Sequence, residues 1–391
     1  MKVIHRAFRY RLAPTLEQET TLGQWAGVVR FVYNLALEQR RDFWRQYRAA
    51  TGGTLNFASQ GREVTALRGD VDWIGAVPSG CLHQALRDLD KAFAGFFAGR
   101  ARFPTYRRRS DHHGLRLQAK QVAVRMINRR WAAIRLPCLG WVKFRRTRPI
   151  VGRMLNVAIS RDALGWHVAF VCEVEHGAPA NDNPAVGIDR GIAVSLALSN
   201  GEAFNLPDLS RLDRQRRRAQ QVLSRRNRGS ARRRKQLRRV ARLSARIARV
   251  RSDWQHKVSR TIADRFGLVV IEDLKIPSMS ASGKGKRGLN RSILAQGWGA
   301  FATKLDYKLT ERGGTLIKVN PAYTSQTCSE CGVVDAASRK SQAVFACTDC
   351  GFTANADHNA AIIILRRSTA PMPVDGSGYA PVEAGTCLEA A

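Results

Sequence analysis

Acidic residues are scarce in this chain of 391 residues. Asp and Glu total 31 against 65 Lys and Arg, which leaves a formal net charge of +34. Hydrophobic residues nevertheless make up 44% of the chain. This apolar content excludes a disordered polycation, which could not offset the entropy lost on ordering. The composition therefore predicts a folded protein with a polyanionic partner, most often nucleic acid, because each neutralised phosphate releases counterions.

Long uncharged apolar runs are also lacking, and no stretch approaches the ~18 residues needed to span a bilayer. The first residues, MKVIHRAFRYRLAPTLEQ, place Arg and His where a signal peptide needs its apolar region. An anionic membrane surface is the alternative polyanion, but these features disfavour it. We therefore expect no membrane partner and a cytoplasmic protein.

Cysteine is sparse, and the eight cysteines are not expected to form disulfides in a reducing compartment. Half of them form two pairs, Cys328-x2-Cys331 and Cys347-x2-Cys350, separated by fifteen residues. Two such pairs predict one structural Zn²⁺ in a zinc ribbon, because four thiolates complete a tetrahedral site. The alternative is that the paired cysteines are ordinary core residues. That is how we interpret the other four cysteines, which are Cys81, Cys138, Cys172 and Cys387.

The N-terminal half alternates between β-rich and helical patterns. Residues 3–12 alternate loosely as a strand, and Thr15 and Gln18 fit a capping box that opens a helix. Apolar residues at helical spacing then predict a helical domain through the first hundred residues. Residues 115–175 are β-rich. We expect antiparallel strands there, in a small barrel that includes the N-terminal strand.

The C-terminal half begins at residue 185 with an apolar strand pair. Between Arg211 and Arg251, 18 of 41 residues are Arg or Lys, and Gly229-Ser230 divides this segment into two helices. Strand, helix and strand then follow between residues 268 and 320 with short connections, as in a parallel unit. An antiparallel hairpin followed by parallel strands is the order of ribonuclease H-like folds, an analogy at the level of fold.

Three carboxylates occupy unusual places. Asp189 interrupts one apolar strand, Glu272 ends another, and Asp357 begins an apolar helix. A lone buried carboxylate is costly, and three at one sheet edge would repel each other and raise their pKa values. Two Mg²⁺ ions about 3.5–4 Å apart would relieve this repulsion and promote phosphodiester hydrolysis, with Mn²⁺ as a possible substitute. Strand alternation makes Asp273 the less favoured ligand beside Glu272.

Each carboxylate also has a simpler interpretation. Asp189 could cap a turn, Glu272 could pair with an arginine, and Asp357 could be a helix N-cap. Taken singly, these interpretations are preferable. Taken together, two acids at strand ends and a third at a helix start favour a metal site.

The basic segments predict contact with phosphates, because acidic residues are absent from 214–251 and such unbalanced charge is self-repulsive without a polyanion. Aromatic residues nearby are available for stacking. This pattern does not distinguish RNA from DNA. The candidate nucleic-acid-binding residues are Tyr106, Arg107, Arg108, Arg109, Arg216, Arg217, Arg218, Arg225, Arg226, Arg232, Arg233, Arg234, Lys235, Arg238 and Arg239.

Several motifs together resemble one known family. They are RAFRYRLAPT with VRFVYNLAL near the N-terminus, then VGIDRGI, VVIEDL, GLNRSI, NPAYTSQTCSECG and FACTDCGFTANADHNAA. The combination resembles TnpB, the insertion-sequence protein related to type V CRISPR effectors. The likeness covers nearly the whole chain to about Arg367.

The resemblance implies a Mg²⁺-dependent, RNA-guided endodeoxyribonuclease of a transposable element. Its family acids map to Asp189, Glu272 and Asp357, in a single two-metal RuvC-like site that cleaves both strands. The implied partners are a guide RNA from the transposon end and double-stranded target DNA beside a short motif, with pairing reading the sequence. A monomer is favoured, and the resemblance implies a nucleoid-associated protein in the cytoplasm of a prokaryote.

The fold class that this implies is α+β and multidomain. The segments are the first strand of a wedge-type β-barrel domain (1–14), a helical recognition domain (15–105), the rest of the barrel (106–183), a ribonuclease H-like (RuvC-like) nuclease domain (184–325) with a basic helical hairpin (209–265), a zinc ribbon (326–353), the last RuvC-like segment (354–367) and a disordered tail (368–391).

One position departs from the family pattern. The family often has Asn where this chain has Ile363, which could weaken support for the acidic site. The intact set of acids still predicts activity. The alternatives are a transposase or accessory factor acting on transposon ends, and a nucleic-acid-binding regulator that does not cleave.

Overall fold

The computed structural model describes residues 2–47, 50, 52–109, 114–177, 179–281 and 285–368. From residue 369 onward the expected disordered tail, with Cys387, lies outside the described residues. The chain divides into two compact units. The first comprises Met1–Gly177 with Leu209–Arg249, and the second comprises Ala178–Asp208 with Val250–Ala391. Most of the basic hairpin therefore groups with the first unit.

Seven strands of the first unit form one antiparallel sheet. They span Lys2–Ala13 (β1), Leu115–Gln118 (β2), Ala123–Met126 (β3), Trp131–Leu136 (β4), Gly140–Arg145 (β5), Arg153–Asp162 (β6) and Gly165–His176 (β7). Their order is β2-β6-β7-β1-β5-β4-β3. Because β1 pairs with both β7 and β5, the N-terminal strand joins the later β segment, as predicted.

The sheet is open, which differs from the predicted small barrel. The outer strands β2 and β3 pair only with β6 and β4, and no pairing among the described residues joins them. Each outer strand has only 4 residues. Such short strands offer few backbone groups with which to close a barrel.

Four helices of the first unit pack beside this sheet. They span Leu16–Gln46 (α1), Phe57–Asp70 (α2), Asp72–Gly75 (α3) and Ser79–Phe97 (α4). The capping box is confirmed, because Thr15 Oγ1 accepts from Gln18 N and the Gln18 side chain accepts from Thr15 N. Trp25 of α1 and Leu86 of α4 are buried in one core that continues to Phe144 of the sheet.

Two basic helices follow, spanning Ser210–Ser224 (α5) and Ala231–Arg265 (α6). Gly229 turns the chain between them with a φ of +84°, a conformation that glycine adopts without steric cost. The Arg233 guanidinium donates to the carbonyl oxygens of Leu223 (2.8 Å) and Arg226 (3.0 Å), which caps the end of α5. The predicted division at Gly229-Ser230 is confirmed.

The second unit is built on a five-stranded sheet. Its strands span Ala185–Asp189 (β8), Leu196–Leu198 (β9), Ala203–Phe204 (β10), Leu268–Glu272 (β11) and Thr315–Val319 (β12), in the order β10-β9-β8-β11-β12. The pairs β8–β11 and β11–β12 are parallel, and β8–β9 and β9–β10 are antiparallel. An antiparallel hairpin followed by parallel strands is the predicted arrangement.

The second unit also contains four shorter helices and two short strands. The helices span Ile276–Met279 (α7), Arg287–Gln296 (α8), Trp298–Thr310 (α9) and Ala356–Arg366 (α10), and two short strands span Val344–Ala346 (β13) and Thr353–Asn355 (β14). Ile188 and Ile271 face a core with α6 and α9. Val270 of the opposite face packs against Ile364 of α10.

None of the helices in the described ranges is both long and apolar enough to cross a membrane.

A buried histidine ties α6 to the β6–β7 hairpin. Arg249 Nη2 lies 2.8 Å from His167 Nε2 and 2.9 Å from Asp162 Oδ2. Burial and, next, the charge of Arg9 lower the pKa of His167 to about 4. The ring is therefore neutral near pH 7, and its Nε2 accepts the hydrogen bond from Arg249.

This histidine predicts a pH-dependent stability. Its folded-state pKa lies below the ordinary 6.5, so the unfolded chain binds the proton more tightly. The contribution of His167 is complete above about pH 6.5 and is lost as the pH falls towards 4. Thermal unfolding should show a steeper loss of stability from about pH 7 to about pH 5 in the wild type than in His167→Gln. Parallel pH profiles would contradict this assignment.

Candidate functional site

Two of the predicted acids end adjacent parallel strands. The register pairs Ile188 of β8 with Ile271 of β11, so Asp189 and Glu272 follow at the same level. Because side chains alternate along a strand, both acids lie on the face opposite these isoleucines. That is the face on which α10 packs through Val270.

Helix α10 brings the third acid to this edge because it approaches β8 unusually closely. A Cβ placed on Gly187 would lie 2.1 Å from the carbonyl oxygen of Ala361 and 2.7 Å from the backbone nitrogen of Leu365. Only glycine allows this separation. Asp357 is the second residue of α10, and Asn355 caps the helix by accepting from its backbone N–H.

The three carboxylates interact electrostatically. Burial and, next, the negative charges of Glu272 and Asp357 raise the pKa of Asp189 to about 7. Burial also raises the pKa of Asp357, against the positive charge of Arg339. The edge therefore concentrates negative charge in a poorly solvated place, which a divalent cation would relieve.

Glu272 is held in one orientation. Its side chain is 8% exposed, and Thr324 Oγ1 donates to its Oε1 at 2.6 Å. The buried Arg190 guanidinium donates to the Glu272 backbone carbonyl. By contrast, Asp273 faces away, pairs with Lys275 at 2.8 Å and has a lowered pKa because of that hydrogen bond.

Two further arginine side chains, Arg339 and Arg367, lie near the acids. Arg339 Nη2 lies 3.6 Å from Asp357 Oδ1, and Arg367 donates to the carbonyl oxygens of Asn320 and Ala322, both at 2.7 Å. Sequence patterns did not single out Arg339, Thr324 or Arg190. The position of Arg190 directly after an acid in an apolar strand was an available signal, whereas Arg339 and Thr324 are distant from their partners in sequence.

The carboxylates and the cysteines differ in how tightly they cluster. In the described part of the chain, the only group of three or more possible ligand atoms that all lie within 4.8 Å of one another is the four cysteines. The three acids do not form such a group in this conformation.

The cysteine geometry fits a tetrahedral zinc site. The Sγ atoms of Cys328 and Cys350 are 3.7 Å apart, and those of Cys331 and Cys347 are 3.6 Å apart. Zn–S bonds of about 2.3 Å in a tetrahedron give S–S separations of about 3.8 Å. Backbone N–H groups of Cys350 and Asp349 help to lower the pKa of the Cys347 thiol to about 6. Against backbone hydrogen bonds from Val333 and Phe352, burial and the neighbouring thiols raise the pKa values of Cys331 and Cys350, so ionisation of one thiol opposes that of its neighbours.

The other described cysteines do not belong to this cluster. Cys81 and Cys172 are buried, as the core interpretation predicts, and burial raises the pKa of Cys81 to about 12. The prediction was wrong for Cys138, which is exposed. It lies in the turn between β4 and β5 with a φ of +60°, where there is no core to enter.

The basic hairpin lines a cationic cavity of about 450 Å³ that is open to solvent. Its lining consists of Arg226, Arg232, Lys235, Gln236, Arg239, Arg242 and Leu243, so no acidic side chain lines it in the part of the chain that the structure describes. Four of the five cations are predicted nucleic-acid-binding residues. Arg242, which completes the set, was not singled out from the sequence.

Other predicted arginines have partners within the fold. Arg107 pairs with Asp88 at 3.1 Å and lies 3.7 Å from the centroid of the Tyr33 ring. Arg216 pairs with Asp213 at 2.7 Å, and Arg233 caps α5. The exposed members are Tyr106, Arg108, Arg109, Arg217, Arg218, Arg225, Arg226, Arg232, Arg234, Lys235, Arg238 and Arg239.

Known proteins resemble this chain along most of its length. The chain is 35% identical to the putative RNA-guided DNA endonuclease InsQ of Escherichia coli K12, over 92% of this chain and 91% of that protein. It is 33% identical to a putative RNA-guided DNA endonuclease of Streptomyces pristinaespiralis, over 97% and 93%.

The chain belongs to the TnpB family. Sequence patterns of three domains match parts of this TnpB-family chain. They are a helix-turn-helix domain at residues 1–49, a probable transposase at 169–282 and a Cas12f1-like TNB domain at 298–364. In the structure, the first of these ranges contains strand β1 and the single long helix α1.

A solved structure shares the fold of this TnpB-family chain. The chain in a Cas12f1–sgRNA–target DNA complex aligns with a TM-score of 0.59 at 15% identity, over 93% of this chain and 98% of that one. At this identity the likeness concerns the fold alone.

The close approach of α10 to Gly187 predicts that adding one methyl group at this residue strongly destabilises the fold. In Gly187→Ala the clash is with backbone atoms, which cannot rotate aside, so we expect a loss of about 1–3 kcal/mol of stability. Chemical denaturation followed by circular dichroism measures this loss.

The matched control is Gly23→Ala, an exposed position in α1 with nothing within 4 Å of the added Cβ. Removing a glycine from a helix interior should stabilise the protein by about 0.5–1 kcal/mol. Equal effects of the two substitutions would contradict the assigned close contact.

Proposed function

We propose that this chain is an RNA-guided DNA endonuclease of a transposable element. The observation that carries the proposal is the convergence of Asp189, Glu272 and Asp357 on one sheet edge, where the Asp189 pKa is raised to about 7. Relatives that match more than nine-tenths of the chain are named as putative RNA-guided DNA endonucleases. Guide RNA and double-stranded target DNA are the partners, with a short DNA motif beside the target.

Asp189, Glu272 and Asp357 would hold two Mg²⁺ ions, for which Mn²⁺ can substitute. Bound in this way, the ions compensate phosphate charge and assist both the attacking water and the leaving oxygen of a phosphodiester. The donor set fits, because carboxylate oxygens suit these hard cations. Thr324 holds the Glu272 carboxylate in place, and Arg190 fixes the backbone of the same residue.

Two arginines near the acids partly compensate their negative charge. Arg339 lies beside Asp357, and burial lowers the pKa of Arg367 against the opposing charge of Glu272. We infer that Arg339 turns from Asp357 towards the phosphate of a bound DNA strand. A single RuvC-like site then cuts the displaced strand and later the target strand.

The four cysteines would hold one Zn²⁺ in a ribbon over residues 326–353. Their spacing leaves no open coordination position for a substrate, which is the pattern of structural rather than catalytic zinc. The wedge, recognition and RuvC-like segments follow the boundaries given from the sequence. The protein would act as a monomer on DNA in the cytoplasm of a prokaryote.

A transposase is the second candidate, because the sequence pattern that matches residues 169–282 is described as a probable transposase. Acidic two-metal sites serve strand transfer as well as hydrolysis. Incubation of purified protein with transposon ends distinguishes the two, since joined products appear only with a transposase.

Removal of one acid tests the nuclease assignment. In Asp189→Ala we expect cleavage of guide-matched DNA to fall by more than the roughly 10- to 100-fold that loss of a supporting residue costs a metal site. Guide RNA binding should be unchanged. Cleavage is followed on a labelled duplex with guide-loaded protein in Mg²⁺.

The control is Asp273→Ala, one residue after Glu272, which removes an exposed carboxylate that pairs with Lys275. It should cleave at nearly the wild-type rate. Wild-type cleavage by Asp189→Ala would exclude the proposed site.

The cationic cavity predicts a difference between two pairs of arginines on one helix. Arg232 and Arg239 line the cavity, whereas Arg234 and Arg238 do not. Replacing the first pair with Ala should weaken guide RNA binding and reduce the slope of log affinity against log salt by about 1 per lost phosphate contact.

Replacing Arg234 and Arg238 with Ala removes the same amount of charge from α6. It should change the affinity for guide RNA and the salt slope less than replacement of the first pair does. Filter binding over a range of salt concentrations measures both. Equal losses would show that total charge, and not the cavity, governs binding.

A further inference from the structure

Asn359 is a polar side chain with no exposure, two residues after Asp357. Its amide oxygen and nitrogen both hydrogen-bond to the first cysteine knuckle, the backbone turn around Cys328-x2-Cys331. Its Oδ1 accepts from Ser329 N at 2.9 Å, and its Nδ2 donates to the Thr327 carbonyl oxygen at 2.8 Å. These two backbone groups flank Cys328.

The rest of α10 is joined to the same knuckle. Strand β14 runs into the helix without a linker, and Ala356 is buried in a small core with Cys328, Phe345 and Cys347. At the far end of the helix, Arg366 donates to the Ser329 carbonyl oxygen. The start of α10 and the knuckle therefore form one hydrogen-bonded body.

We propose that Asn359 is a positioning residue. Through its two hydrogen bonds, the cysteine knuckle fixes the position of Asp357 at the sheet edge that carries Asp189 and Glu272. The ribbon then helps to position a ligand of the proposed cleavage site, in addition to stabilising its own fold. This inference rests on the proposed nuclease function, because it assigns to Asp357 the binding of divalent cations.

The geometry explains why a local change should act on the site and not on the fold. The close contact between Gly187 and Ala361 holds the middle of α10 on β8 independently of the ribbon. Loss of the Asn359 amide removes two buried hydrogen bonds at the start of the helix, where Asp357 lies. The expected result is a displaced ligand on an intact helix.

Asn359→Ala tests this inference in guide-loaded, zinc-containing protein. We expect about 10- to 100-fold weaker binding of divalent cations, the cost of losing a residue that supports a metal ligand. Mn²⁺ binding, measured by electron paramagnetic resonance without DNA, gives the affinity independently of cleavage. The Mg²⁺ concentration for half-maximal cleavage should rise in parallel, while zinc content and target DNA binding stay at wild-type levels.

The matched control is Ser338→Ala. Ser338 is equally buried, and its hydroxyl accepts from Thr348 N at 3.2 Å within the ribbon, with no hydrogen bond to α10. Its removal should leave Mn²⁺ binding unchanged. If Asn359→Ala fails to bind guide RNA, Asn359→Leu, which keeps the volume and lacks both hydrogen bonds, replaces it.

Wild-type Mn²⁺ affinity in the folded Asn359 variant would overturn the inference, and so would equal weakening by Ser338→Ala. The proposed function is judged separately, by whether wild-type protein cleaves and Asp189→Ala does not. Absence of cleavage by the wild type would overturn that function, whereas the Mn²⁺ measurement would still report on Asn359.

Discussion

Mutual repulsion among three carboxylates at one sheet edge is the constraint on which the second unit depends. Asp189 has a pKa near 7 because it is buried beside two other acids. Such a group is unfavourable for folding unless cations compensate it. The arginine beside Asp357 supplies positive charge. The close passage of α10 over Gly187 and the hydrogen bond from the Thr324 hydroxyl to Glu272 hold the acids in place.

The large positive charge of the chain serves two distinct purposes. Some arginines are structural, such as Arg107 over Tyr33 and Arg233 at the end of α5. Others, including Arg232 and Arg239, line a cavity without acidic neighbours in the described chain. The excess charge therefore belongs mainly to surfaces that a polyanion can neutralise, which agrees with the partners proposed for this TnpB-family protein.

Local patterns in the sequence predicted most elements. The capping box at Thr15, the turn at Gly229 and the parallel strand that ends at Glu272 were all expected, because each depends on residues a few positions apart. The open sheet and the exposed Cys138 were not expected. Whether short outer strands close a barrel, and whether a turn residue reaches a core, depends on contacts between segments that are far apart in the chain.

The same distinction applies to the candidate sites. The sequence by itself determined which acids and cysteines are the candidates for metal binding, because a carboxylate in an apolar strand and paired cysteines at fixed spacing are visible without a fold. Only the tertiary structure decided what surrounds them. Arg339 beside Asp357, Thr324 on Glu272 and Asn359 on the cysteine knuckle are contacts between segments that the chain brings together only by folding. Periodicity and spacing report on neighbours along the chain, and these partners are neighbours only in space.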